Sequence, residues 1–250
     1  MTATKDVQRI AALADLHYGM NMAGTLQPLL AEAAASADVL LLGGDLTDLG
    51  MPEEAKLLAA ELTPLKAPIL AVLGNHDYHS GHADEVRRIL MGAGVHMLDG
   101  EAIEIGGVGF AGVKGFCGGF DQRLLAPWGE DVIKTFVHEA INETLKLESA
   151  LAKLRARTRI ALLHYAPIRA TVEGEPLEIF PFLGSSRLEE PLNRYEVTAA
   201  FHGHAHRGAV EGRTRAGAPV YNVSVPLLRK AFPERPPFHL FEVAPSEPGA

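Results

Sequence analysis

The sequence predicts an α/β fold containing two β-sheets, and three observations lead to it. Up to residue 90, short apolar runs alternate with segments patterned as helices. Two further runs, at 102–105 and 108–113, are separated only by Gly106-Gly107, and strand-length runs return after residue 158. Alternation of strand and helix is the signature of parallel βαβ units. A two-glycine connection is the signature of an antiparallel hairpin, so a second sheet is expected to start there.

Residues 7–14 read as the first strand. After Gly19 and Gly24, an Ala- and Leu-rich helix is expected over 26–35, then a strand over 39–42. Met51-Pro52-Glu53-Glu54 opens a helix that runs to residue 62, with proline at an early position and acids in the first turn, where they complement the helix dipole. A strand over 69–73 and a helix over 83–90, stopped by Gly92 and Gly94, follow. Beyond the hairpin, a helix is expected over 131–157. Its apolar stripe, Val132, Ile133, Phe136, Val137, Ala140, Ile141 and Leu145, recurs at the helical period. Strands are expected at 159–163, 197–201, 220–225 and 238–243, and the Pro- and Gly-containing end, 244–250, reads as a frayed tail.

The 250 residues are 47% hydrophobic, enough for a substantial core, and one domain over 1–250 is the expectation. A net charge of -8 argues against a general electrostatic grip on nucleic acid or anionic lipid. Cys117 is the only cysteine, which rules out an internal disulfide; it reads as an ordinary half-buried thiol in a reducing compartment. No apolar run is long enough to span a membrane, and the start lacks a secretory profile, so a cytoplasmic location is expected. Composition leaves the oligomeric state open. Segments 115–129 and 168–192 carry little regular pattern and are expected to be loops, candidates for substrate-facing lids.

Side chains able to hold metals begin where apolar runs end. Asp15-x-His17 follows 10–14, Gly44-Asp45-x-x-Asp48 follows 39–42, and Gly74-Asn75-His76-Asp77 follows 69–73. His164 follows 160–163, and Gly203-His204-x-His206 follows 197–201. If the strands lie side by side, these ends meet on one rim. On an extended segment, residues i and i+2 point to one side, so Asp15 with His17, and His204 with His206, are each expected to grip one ion. Oxygen and imidazole donors without thiolate suit Mn, Fe, Zn, Co or Ni. A carboxylate between two ligand clusters is the natural bridge for two ions, and Asp45 occupies that central place.

With their order and spacing, Asp15-Leu16-His17, Gly44-Asp45-Leu46-Thr47-Asp48, Gly74-Asn75-His76-Asp77, Leu163-His164-Tyr165 and Gly203-His204-Ala205-His206 resemble the five motifs of calcineurin-like metallophosphoesterases. The resemblance implies a four-layer α/β/β/α sandwich of two mixed β-sheets flanked by helices, with a dinuclear centre at the sheet ends. It implies Asp15, His17, Asp45 and His206 on one divalent or trivalent ion, and Asp45, Asn75, His164 and His204 on the other. It makes His76 the proton donor to the leaving group or a stabiliser of the transition state, roles that suit histidine as a residue type because an imidazole can both hold and release a proton. Asp48 and Asp77 are expected to support the ligands rather than bind metal. Arg169, Arg187 and Arg207 are candidates for contact with substrate phosphate. His202 is expected to pack within its strand.

The implied activity is hydrolysis of a small phosphate ester, monoester or diester, by in-line attack of a metal-bridging hydroxide. Two dications, two aspartates and one hydroxide leave such a centre with net positive charge, which favours a phosphoryl anion. The alternatives are a nuclease using the same centre, for which no basic groove or stacking platform is visible, and a non-catalytic interaction scaffold, which would not need the complete donor set.

Overall fold

The computed structural model describes residues 7–245; the end of the expected frayed tail, 246–250, lies outside the described residues. The first half forms β1 (Gln8–Leu13), α1 (Gln27–Ser36), β2 (Val39–Gly43), α2 (Pro52–Leu62), β3 (Ile69–Val72), α3 (Ala83–Gly92) and β4 (Val95–Met97). The second half forms β5 (Glu101–Ile105), β6 (Val108–Val113), α4 (Asp131–Lys153), β7 (Arg159–Leu163), α5 (Phe180–Leu183), α6 (Glu189–Arg194), β8 (Ala199–His202), β9 (Glu211–Arg213), β10 (Pro219–Asn222), α7 (Val225–Ala231) and β11 (His239–Val243).

Two mixed sheets result. One has the order β11-β1-β2-β3-β4, the other β5-β6-β7-β8-β10-β9. β1 to β4 are parallel, with β11 antiparallel at the edge. β6, β7, β8 and β10 are parallel, with β5 and β9 antiparallel at the two edges.

Alternation along the strands divides the core into layers. In β1, Ala11 and Leu13 face helices α1 to α3, meeting Leu30, Leu58, Leu62, Val86 and Leu90. Ile10 and Ala12 point the other way, together with Val39, Leu41, Leu70 and Val72, and meet Phe110, Ile160, Leu162 and Phe201 of the second sheet. The outer face of that sheet, through Ala111, Val113, Ala161, Leu163 and Ala200, packs on Leu147, Ala150 and Leu151 of α4 and Leu192 of α6. The order is helix, sheet, sheet, helix, as the resemblance implies.

Local details differ from expectation for physical reasons. The α4 helix stops at Lys153 rather than 157, because Glu104 Oε1 accepts the N–H groups of Arg155, at 2.6 Å, and Ala156, at 2.9 Å, offering a partner outside the helix. The expected strand over 220–225 ends at Asn222, and Val225 opens α7 with proline in its first turn. β4 and β9, three residues each, are too short to show a period. Segment 168–192 is not a plain loop: it contains α5 and part of α6. The α2 start behaves as expected, with Glu54 Oε2 accepting N–H groups from Leu49 at 2.9 Å and Met51 at 3.2 Å.

Candidate metal centre

Five parallel strands, β1, β2, β3, β7 and β8, deliver the predicted residues from their carboxyl ends to one rim. The loops after β1 and β2 run together: Asp15 N–H donates to Gly44 O at 3.0 Å, His17 N–H to Asp45 O at 3.0 Å and Tyr18 N–H to Leu46 O at 3.1 Å. The two sheets are joined at this rim, since Ala14 N–H donates to Val223 O and Val225 N–H to Ala14 O, both at 3.0 Å.

Three overlapping groups have their donor atoms within 4.8 Å of one another: Asp15, His17 and His206; His17, Asp45 and His76; Asp45, His164 and His204. Asp45 and His17 each belong to two of them. Asp45 is almost fully buried, with Oδ2 3.8 Å from His17 Nε2 and Oδ1 3.4 Å from His164 Nε2, so its two oxygens face the two outer groups. Asn75 joins the third group through Oδ1, 3.0 Å from His164 Nε2.

The pairs do not arise from extended backbone, as the two-residue spacing suggested, and His204 and His206 do not grip together: His206 joins Asp15 and His17, while His204 joins Asp45 and His164. Asp15 has φ 58°, His17 43°, Asp45 48° and His204 71°, all left-handed. Asp and His tolerate this region better than branched residues, at about 1 to 3 kcal/mol each. A sharply turning backbone brings donors from separate loops to the same place. Glycines make room: a Cβ on Gly74 would stand 2.2 Å from Asp45 Oδ1, and one on Gly203 2.5 Å from Asp15 Oδ2.

Whether a cation fits can be judged from the donors alone. His164 Nδ1 donates to Gly43 O at 2.9 Å, so the lone pair of Nε2 faces the oxygens of Asn75 and Asp45. His204 Nε2 donates to Phe182 O at 3.2 Å, which leaves Nδ1 as its lone-pair atom. His17 Nε2 is buried without any hydrogen-bond partner. Acceptors converging without a donor are costly unless a cation lies among them, so the residues fit a metal centre.

The protonation states of His17 and His204 agree. Burial lowers the pKa of His17 against the pull of Asp45 and Asp15, and burial followed by His164 pushes His204 down to about 3, so both rings are neutral near pH 7. Burial would raise the Asp15 carboxyl, but the His206 hydrogen bond and the fields of His164, His206 and His204 hold it well below the usual carboxylate range. The same bond to Asp15, at 3.3 Å, raises His206.

Supporting residues are distinct. Asp77 is fully buried, raised by burial and by Asp45, and accepts N–H groups from Leu46, Thr47 and Gly74. Asp48 Oδ1 lies 3.6 Å from His17 Nδ1, and its backbone O accepts from His76 Nδ1 at 2.7 Å. His202 is buried at the end of β8, with Nε2 2.8 Å from Thr171 Oγ1.

The arginines are engaged or outside. Arg169 pairs with Glu173 at 2.8 Å, Arg187 donates to Leu125 O at 2.9 Å, and Arg207 is exposed next to His206. The two irregular segments pack on each other, Gly118 N–H donating to Pro181 O at 2.8 Å and Gly119 N–H to Gly184 O at 2.9 Å, and reach the rim at Phe182. Cys117 is buried between them, and burial raises its pKa.

Sequence reasoning passed over Tyr78, Lys114 and Tyr165. Tyr165 stands beside His204, ring centroids 4.5 Å apart. Their one visible signal is position: each follows a strand end or a ligand motif.

No curated protein matches the sequence. Among solved structures, the fold is similar to phosphopantetheinyl hydrolase (PptH) from Mycobacterium tuberculosis, at TM-score 0.66 and 13% identity, covering 93% of this chain and 95% of that one. It is similar to TT1561 of Thermus thermophilus, at TM-score 0.54 and 15% identity, covering 95% and 99%. It is also similar to a putative 5'-nucleotidase from Staphylococcus aureus, at TM-score 0.52 and 16% identity, covering 86% of this chain and 48% of that one. The family model for calcineurin-like phosphoesterases matches residues 8–208, most of the chain and every donor residue described above, and the chain belongs to that family.

Proposed function

We propose that this protein hydrolyses a small phosphate ester, monoester or diester, at a centre of two divalent or trivalent ions drawn from Mn, Fe, Zn, Co or Ni. The supporting observation is the position of Asp45 between the Asp15–His17–His206 and His164–His204 groups, one carboxylate oxygen facing each. Asp15, His17, Asp45 and His206 would hold one ion, and Asp45, Asn75, His164 and His204 the other. When bound, such ions supply charge for the phosphoryl oxygens and an activated water for in-line attack on phosphorus.

The chain's own groups do the rest. His76 donates from Nδ1 to Asp48 O, which leaves Nε2 as the atom able to carry a proton to the leaving group or to stabilise the transition state. Its N–H also fixes Asp45 Oδ1, at 2.8 Å. Asp48 and Asp77 hold the ligand loops in shape. Segments 115–129 and 168–192, joined to each other and to His204, are read as walls facing the substrate, within one domain. No helix among the described residues is long and apolar enough to cross a membrane. A single free thiol suits a cytoplasmic setting.

The test is a panel of aryl phosphate monoesters and diesters assayed in separate Mn, Fe, Zn, Co and Ni buffers, with single-stranded DNA as a further substrate. Metal-dependent turnover that drops by roughly a thousandfold or more in Asp45→Asn and His206→Ala supports the proposal. Turnover indifferent to both substitutions overturns it. Metal binding without turnover of any ester points to a scaffold, and degradation of DNA in preference to small esters points to a nuclease.

A further inference from the structure

Lys114 is a basic side chain at the rim whose ammonium is hydrogen-bonded to a carbonyl rather than to a carboxylate. It follows β6, and its carbonyl accepts the N–H groups of His164 and Tyr165, both at 3.0 Å, which ties it to the strand end bearing His164. Its ammonium donates to Gly115 O at 2.8 Å. It lies 4.8 Å from the ring centroid of Phe116, 5.4 Å from that of Tyr165 and 5.6 Å from that of Tyr78. Glu143 and then Glu139 act on it through space, and the Glu143 oxygens are taken by Gly115 N–H at 2.8 Å and Lys146 Nζ at 2.7 Å.

An ammonium has three donors, and one carbonyl uses only one of them. Withdrawn from water among rings, the charge keeps part of its desolvation cost until an anion arrives. Arg169 and Arg187, by comparison, have found partners within the fold.

The position relates this cation to the metal centre. The Tyr165 ring is near both, its centroid 4.5 Å from that of His204 and 5.4 Å from the Lys114 ammonium. Tyr78, two residues beyond His76, is 46% exposed and forms the open side. A cavity of about 40 Å³, bounded by Leu73, Tyr78, Asp84, Asp99, Arg87 and Lys114, lies beside the cation. Asp99 in its wall is spent on Arg87 at 3.3 Å and Lys146 at 3.0 Å, which leaves Asp84 as the other acid of that wall.

We propose that Lys114, with the rings of Tyr78 and Tyr165, forms a subsite for a second anionic group, phosphate or carboxylate, on the organic part of the substrate. The inference rests on the phosphoesterase reading and narrows it to esters with two anionic ends. One end goes to the metal centre, the other to Lys114. The contact is made in the ground state as well as in the transition state, so its loss is read mainly in KM.

The experiment compares butane-1,4-diol monophosphate, its bisphosphate and 4-(phosphonooxy)butanoate on the metal-loaded protein, by turnover and by calorimetric binding. The expected result is a preference of about tenfold or more in kcat/KM for one or both two-ended esters, the size of one charge-assisted hydrogen bond. The two-ended compound that is preferred identifies the anion. Lys114→Gln and Lys114→Met should abolish the preference through KM, and Lys114→Arg should keep part of it. In the folded wild-type protein, the side-chain resonance of Lys114 should shift with the two-ended compound and not with the monophosphate.

A wild-type protein with no preference, a preference that survives Lys114→Gln, or an unshifted Lys114 resonance overturns the subsite. If no ester is turned over, the reading of the reaction fails. Calorimetry then judges the subsite alone: two-ended binding lost in Lys114→Gln supports it, and unchanged binding overturns it.

Discussion

The Thr47 hydroxyl donates to Asp77 Oδ1 at 2.6 Å, and the Thr47 backbone N–H donates to the same oxygen at 2.8 Å. With Leu46 and Gly74 N–H on Oδ2, one buried carboxylate ties the loop carrying Asp45 to the loop carrying Asn75 and His76. Asp77→Ala would leave these donors without an acceptor. It should cost on the order of 3 kcal/mol in urea unfolding and reduce the metal retained on elemental analysis. Full metal content at undiminished stability would show that the two loops hold their shape without it.

Gly74→Ala should abolish metal retention more completely than Asp77→Ala. The added Cβ would sit 2.2 Å from Asp45 Oδ1 and 2.3 Å from Asp45 N, and the backbone there is too enclosed to move aside cheaply. Manganese titration followed by electron paramagnetic resonance measures the loss; a variant binding as tightly as the parent would refute the close approach.

His17 Nε2, buried and lacking any partner, implies that a cation at this centre would stabilise the fold. Metal added to chelated protein should raise the melting temperature. At a hundredfold excess over Kd, the gain is about 2.7 kcal/mol. If the proposed two-ion centre forms, Asp45→Asn should lower the measured stoichiometry at both positions, and His17→Ala at one. Equal loss from both variants in a calorimetric titration would remove Asp45 from its place between the groups.

His239 provides a pH dependence remote from the metal centre. Its ring stacks on Tyr221 at 4.2 Å, and burial lowers its pKa below 6.5, partly opposed by Glu211. The unfolded chain therefore binds this proton at higher pH than the folded one. The stability contribution is complete above pH 6.5 and is lost as pH falls towards the folded value. His239→Gln should flatten this part of the acid-side slope in urea unfolding. An identical slope would show that the ring titrates alike in both states.

Leu41, fully buried between the sheets, tests the four-layer packing. Leu41→Ala should cost about 2 to 5 kcal/mol in chemical unfolding, the usual penalty for a cavity that neighbouring strands cannot close. A cost below about 1 kcal/mol would mean that the inter-sheet layer is loose.

Much of this was legible before any coordinates. The βαβ alternation, the Gly106-Gly107 hairpin and the apolar runs at 39–42, 69–73 and 159–163 are local patterns, because a strand buried on both faces needs continuous apolar sequence and a tight turn needs glycine. Short elements such as β4 and β9 fall below one readable period, and the end of α4 depends on Glu104, far earlier in the chain.

By itself, the sequence determined which residue types stand at the ends of which strands, and hence the donor set from Asp15 to His206. Only the tertiary structure decided how those donors meet. The Asp15 and His17 backbone is left-handed rather than extended, His17 Nε2 faces Asp45 from another loop, and the Lys114 ammonium lies 5.4 Å from the Tyr165 ring centroid. The reason is physical: periodicity is a property of neighbouring residues, whereas convergence at the rim depends on sheet register and on loops bonded to each other across the two sheets.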